Sequence, residues 1–121
     1  MKGILALTVG LLVAAGGMWV THADDGGNLG KALFERRCTG CHALDRDKSG
    51  PRLGDLKGRL AGSVTGFEYS SSLKNSGLTW NRDTLDRWPA DPDAVVPGND
   101  MAFRLANEQE RAAVIDYLLG Q

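Results

Sequence analysis

Cys38-Thr39-Gly40-Cys41-His42 is the densest piece of chemistry in the chain. In a C-x-x-C-H run, two thiols a short arc apart can add to the two vinyl groups of one haem as thioethers. The adjoining histidine is then carried under the porphyrin, where an imidazole nitrogen can bind iron axially. Two other chemistries use similar spacings. A dithiol redox centre of the thioredoxin kind expects a βαβ setting, and a structural zinc site expects four ligands where Cys38, Cys41 and His42 supply three. A second axial ligand emerges by elimination if an amino-terminal leader, residues 1–23, is removed. His22 leaves with it, and so do Met1 and Met18, so His42 becomes the sole histidine and Met101 the sole thioether. Met101 follows Pro97-Gly98-Asn99-Asp100 in a loop. Its other reading is a gap-filling core methionine. As a ligand, thioether sulfur favours ferrous iron and raises the reduction potential.

The leader rests on Met1-Lys2, a mostly apolar Ile4–Val20 and the small-residue stretch Thr21-His22-Ala23 before Asp24-Asp25. A retained anchor is the alternative, although the run is short for a span and diluted by Gly10, Gly16 and Gly17. Residues 24–121 then form one domain with 13 basic and 15 acidic residues, net −2, which argues against nucleic acid as a partner. Seven aromatic residues and few branched aliphatics make a thin core for so short a chain, and two cysteines cannot build a disulfide scaffold. A large prosthetic group would fill that centre.

The elements around these residues read as helices and long loops. Asn28 is expected to cap a first helix to about Arg37, with Leu29, Ala32, Leu33 and Phe34 on its apolar stripe. From Thr39 to Gly77, glycines and Ser70-Ser71-Ser72 mark turns, a loop length that fits wrapping around a cofactor. Asn81 starts a short helix that Pro89 is expected to stop, and Asp91-Pro92 starts another turn of helix through Val96. Asn107-Glu108-Gln109-Glu110 resembles a capping box, followed by the stripe Ala113, Val114, Tyr117 and Leu118 and a glycine stop at Gly120. The class is all-α.

Beyond the haem motif, the chain resembles class I c-type cytochromes, the mitochondrial cytochrome c and bacterial cytochrome c2 group, from Gly30 to Leu119. The matching segments are Gly50-Pro51-Arg52-Leu53, Gly58-Arg59 with Gly62, Gly66-Phe67-Glu68-Tyr69, Lys74 to Trp80, and Pro97 to Met101, in order and spacing. The resemblance implies a cytochrome c fold in which the first and last helices cross at Gly30 and Tyr117, with Phe34 alongside. It further implies one covalent haem c with His42 and Met101 on the iron and Pro51 accepting from the second nitrogen of His42. Arg59, Tyr69 and Trp80 would hold or neutralise a haem propionate, Asn75 would join a water near the haem, and Phe103 would cover it on the methionine side.

Departures stand beside these matches. Trp88 occupies the place of a tyrosine that bonds the methionine sulfur, leaving that bond in question, and Pro89 should shorten the helix beneath Met101. Asn99 replaces a threonine at the haem pocket, and Asp100 replaces a lysine, so the haem edge gains a negative charge.

The function this implies is a soluble, monomeric electron carrier of the bacterial periplasm, not an enzyme. It would meet transient redox partners such as a membrane cytochrome complex, an oxidase or a periplasmic dehydrogenase, and would associate with a membrane only if residues 1–23 were retained. Two alternatives stay open at this point. One is a haem peroxidase or gas-binding cytochrome with an open iron site; the other is a membrane-tethered cytochrome subunit of an oxidase or dehydrogenase.

Overall fold

The computed structural model describes residues 25–121; the proposed leader, residues 1–23, lies outside them. Five helices follow in order: α1 Asp25–Arg37, α2 Ser71–Lys74, α3 Arg82–Ala90, α4 Pro92–Val95 and α5 Glu108–Leu119. Among the described residues there is no strand beyond an isolated bridge between Leu60 and Thr79. None of the described helices is long and apolar enough to cross a membrane.

α1 begins three residues before the expected cap, and Asn28 lies exposed inside it. Asp25 in the first turn and Arg36-Arg37 in the last complement the helix dipole, so the start needs no cap at Asn28. The buried seam is also rotated from the expected stripe. It runs through Gly30, Leu33 and Phe34, while Leu29 is 53% exposed and Ala32 faces solvent. Buried residues of α5 are Arg111, Val114, Ile115 and Leu118, a regular i, i+3, i+4, i+7 face. Ala113 and Tyr117 flank that face and meet α1.

Gly30 makes the α1–α5 contact possible. A Cβ there would overlap the Ala113 carbonyl oxygen and lie 2.8 Å from Tyr117 Cβ, so only glycine lets the two backbones approach this closely. Beside it the Phe34 and Tyr117 rings stack at 5.5 Å, tilted by 45°. The crossing implied by the resemblance is therefore present, with its physical cause.

α3 is held by a complete capping box. Asn81 accepts from the Thr84 N–H at 3.0 Å, and the Thr84 hydroxyl accepts from the Asn81 N–H at 2.9 Å. The helix does not stop at Pro89 but runs through it to Ala90. Proline forfeits one helical donor, but packing of Leu85 and Trp88 on the core holds the turn, and the Asp91 N–H still reaches the Arg87 carbonyl at 3.2 Å. α4 starts as expected from Asp91 with Pro92 at its first position.

At α5 the expected capping box is half formed. Asn107 accepts from the Glu110 N–H at 2.9 Å, but the Glu110 carboxylate pairs with Arg37 of α1 at 3.3 Å. Gly120 has φ −93°, so the left-handed glycine stop is not used. α2 was not expected. Ser70, read as a turn residue, caps it by accepting from the Leu73 N–H at 3.2 Å, the role serine favours.

The long middle segment is tied down at one place. Gly58 N–H to the Trp80 carbonyl (2.7 Å), Trp80 N–H to the Arg59 carbonyl (2.9 Å) and Ala61 N–H to the Leu78 carbonyl (2.7 Å) form a short ladder. This ladder sets Arg59 and Trp80 side by side in the chain's path.

Candidate functional site

The helices and the middle segment enclose a cavity, partly open to solvent. Its walls are mainly apolar, with Leu33 and Phe34 packed behind Leu56, Leu85, Leu105, Val114, Ile115 and Leu118. Cys38, Cys41, His42 and Met101 all line it.

The thiols and imidazole are placed by the end of α1. Cys38 extends the helix by donating its N–H to the Phe34 carbonyl at 2.8 Å. The chain then turns back, with Cys41 and His42 N–H groups donating to the Cys38 carbonyl at 3.1 and 2.9 Å. Both cysteines are free thiols, Cys38 half-buried and Cys41 exposed. Burial pushes the Cys38 thiol up to about 11, with the neighbouring Cys41 adding to the effect. The lip of the cavity therefore offers one sheltered and one accessible sulfur.

His42 Nδ1 lies 2.7 Å from the Pro51 carbonyl oxygen. A carbonyl only accepts, so Nδ1 carries the proton and Nε2 keeps its lone pair for a metal. Burial holds the imidazole below its ordinary value, against the raising effect of the Pro51 bond, with Lys48 nearby lowering it further. A neutral ring with a fixed tautomer is what metal binding requires. Gly50 makes room for it. A Cβ at that position would lie 2.7 Å from His42 Nδ1 and 2.8 Å from Nε2, and would overlap Cε1.

Met101 is placed by the loop between α4 and α5. Asn99 Oδ1 accepts the Met101 N–H at 2.7 Å, and the Asn99 amide donates to the Val96 carbonyl at 2.9 Å and to Asp93 at 3.2 Å. The Trp88 indole N–H donates to Met101 Sδ at 3.0 Å. The bond that the tyrosine-to-tryptophan departure left in question is thus made by the indole. The Leu105 N–H also donates to the Pro89 carbonyl at 2.7 Å, fastening the chain beyond Met101 to the end of α3.

Most of the other expected pocket residues converge. Pro51, Arg59, Tyr69, Trp80, Trp88 and Phe103 line the same cavity. The Arg59 guanidinium is braced by the Gly54 and Arg52 carbonyls at 2.9 and 2.7 Å, and burial lowers its pKa, with Tyr69 opposing that. The Tyr69 hydroxyl accepts from the Val64 N–H at 3.2 Å, which leaves its own proton to donate. Burial raises its pKa. Arg59 and Tyr69 therefore offer a cation beside a hydroxyl donor, as an acidic group would need, and Trp80 lines the same cavity.

Two expected residues do not line the cavity. Asn75 is exposed at the C-terminal end of α2, its N–H satisfied by the Ser71 and Leu73 carbonyls. Asn99 is engaged in holding its own loop. The place of Asn99 follows from a local turn that uses its short amide, which the matching of segments does not reveal.

Arg111 was missed. It is 8% exposed on α5, donates from Nε to Asp86 of α3 at 3.0 Å, and from Nη1 to the Leu105 and Ala106 carbonyls at 3.1 and 2.8 Å. It also reaches the cavity wall. A signal existed, because an arginine at the head of the 111, 114, 115, 118 apolar face is out of place unless paired.

The donor set fits a covalently held haem and not a bare metal ion. Among the described residues no group of three or more histidine, cysteine and carboxylate side chains is arranged around a common point, which leaves zinc without a site.

The sequence profile of the cytochrome c family matches residues 28–121. Cytochrome c2 of Rhodomicrobium vannielii is 40% identical over 116 residues, covering 91% of this chain and 92% of that protein. Cytochrome c type-1 of Ascaris suum is 41% identical over 92 residues, covering 74% and 82%. The structure of cytochrome cH from Methylobacterium extorquens superposes with a TM-score of 0.74 at 34% identity, covering 78% of this chain and 98% of that one. With the fold, the thiol-and-imidazole turn and these matches together, the chain belongs to the cytochrome c family of class I c-type cytochromes, electron carriers, not enzymes, that hold one covalent haem c.

Proposed function

We propose that Cys38 and Cys41 form the two thioether links, that His42 Nε2 and Met101 Sδ are the axial ligands, and that the chain is exported to the bacterial periplasm as a monomeric single-electron carrier. The observation that carries the reading is the His42–Pro51 bond of 2.7 Å. It fixes the tautomer that presents Nε2, in a cavity lined by both cysteines and Met101. Bound there, haem supplies a one-electron couple, and a thioether partner stabilises the ferrous state.

The chain's own residues set the conditions for transfer. The apolar walls exclude water, the Arg59–Tyr69–Trp80 wall neutralises a buried propionate, and Phe103 closes the methionine side. With both axial positions filled no site remains for substrate, so electrons leave through the edge near the exposed Cys41 and Asp100. Partners would dock there briefly through small, salt-sensitive contacts. Asp100 gives that rim a negative charge, which favours a basic partner face. Export rests on the leader pattern at residues 1–23 and on kinship with bacterial cytochromes c2.

Absorption spectroscopy of the mature protein tests the reading. The oxidised form should show a sulfur-to-iron charge-transfer band that Met101→Ala abolishes, and the reduced form should not bind carbon monoxide readily. Pigment that extracts into acidic organic solvent would end the thioether assignment, and mass measurement of the mature chain tests removal of residues 1–23.

A further inference from the structure

The loop that carries Met101 leaves α4 at Val96 and ends at the Asn107 cap of α5. Its outgoing limb is tied through Asn99, whose amide donates to Asp93 at 3.2 Å and to the Val96 carbonyl at 2.9 Å. Its returning limb comes back to the start of α4 at Arg104. One guanidinium nitrogen there, Nη2, lies 2.8 Å from Asp91 Oδ1 and 3.6 Å from Asp93 Oδ2. The two carboxylates sit at the cap and in the first turn of α4, where their mutual repulsion is offset by a cation held between them. The next residue, Leu105, donates its N–H to the Pro89 carbonyl at 2.7 Å. Two successive residues thus close the base of the loop, one by charge and one by a backbone bond.

We propose that Arg104 is a positioning residue for the sixth iron ligand: bridging Asp91 and Asp93, it clasps the base of the Met101 loop and keeps outside ligands from displacing the sulfur. The inference rests on Met101 being the ligand. A thioether is a weak, uncharged donor of electrons, so closure of its loop decides how often the sulfur leaves. That closure separates a carrier from an iron open to small molecules. The Arg104, Asp91 and Asp93 side chains are 56%, 41% and 70% exposed, so the clasp weakens as ionic strength rises. The Leu105 bond and the buried contact of Arg111 with the Leu105 carbonyl are shielded from salt, which sets the clasp apart from them.

The test offers free imidazole to the oxidised holoprotein and follows loss of the sulfur-to-iron band. Imidazole binds only molecules whose loop has opened, so its apparent affinity scales with the open fraction. At mildly alkaline pH it is neutral, and salt acts on the clasp and not on the probe. At ~0.01 M ionic strength, where the Debye length is ~30 Å, Arg104→Gln should bind imidazole about fivefold more tightly than the parent, the scale of two exposed ion pairs. Arg104→Lys, which keeps the charge, should recover most of the difference. Asp91→Asn, which keeps the cap on the Ala94 N–H, should act alone and add little to Arg104→Gln. At ~1 M, with the Debye length at ~3 Å, the parent should approach the variant. An affinity in Arg104→Gln within about twofold of the parent, against that ~fivefold, or equal responses of both proteins to salt, overturns the proposal. A parent without the band would instead reject Met101 ligation itself. Should Arg104→Gln fail to fold, the salt series of the parent decides: an affinity that does not rise between ~0.01 and ~1 M overturns the clasp.

Discussion

Replacing Arg111 with methionine preserves the reach of a buried side chain and deletes its donors. Three bonds go: to Asp86 at 3.0 Å, to the Leu105 carbonyl at 3.1 Å and to the Ala106 carbonyl at 2.8 Å. Hydrogen bonds to a charged group are worth ~1.5–3 kcal/mol each, and a buried orphaned carbonyl costs ~1–3 kcal/mol. Two of these need discounting. Asp86 is 47% exposed and regains water, and Ala106 is at the surface. The Leu105 carbonyl, on a residue 5% exposed, bears the main loss. Relief from keeping a guanidinium desolvated offsets part of it. The net is a destabilisation of about 2–3 kcal/mol, which in a domain of this size lowers Tm by about 10–20 °C. Because Arg111 ties α5 and α3 to the chain just past Met101, the loss should be felt first at that loop. In a thermal scan of the oxidised holoprotein the sulfur-to-iron band should fade before the helical circular dichroism does. Arg111→Lys should fall between, since an ammonium lacks the fork that reaches three acceptors. A variant that melts within 3 °C of the parent (against the ~4–8 °C per kcal/mol expected), with band and helix signal lost together, would refute the reasoning.

Gly30→Ala places a Cβ against the Ala113 carbonyl and 2.8 Å from Tyr117 Cβ, and should destabilise by ~1–3 kcal/mol less the ~1 kcal/mol that alanine gains in a helix. Urea unfolding checks this, and truncating Tyr117 to alanine should not relieve it because both opposing atoms remain.

Much of this was legible from residue order. Cys38, Cys41 and His42 declare their chemistry within five residues, because covalent attachment and axial ligation by neighbours are local geometry. Caps at Asn81, Asp91 and Asn107 were equally readable, since each depends on bonds three residues away. The four-residue α2 was not, as one turn of helix leaves no periodicity to detect. Nor was the true start of α1 or its seam at Gly30, Leu33 and Phe34, which the packing against α5 selects over the nearby Leu29 stripe.

The sequence by itself determined the chemical class of the site and singled out Cys38, Cys41, His42 and Met101, the four residues proposed to hold the haem. Tertiary structure alone decided what each donor faces: that His42 donates to Pro51, that Trp88 and not a tyrosine reaches Met101, that Asn99 serves its loop instead of the cavity, and that Arg111 clasps two helices and the loop past Met101. The reason is distance along the chain. Partners 13 residues apart, as Trp88 and Met101 are, or 25 apart, as Asp86 and Arg111 are, meet only after the helices have packed, and no local pattern encodes that meeting.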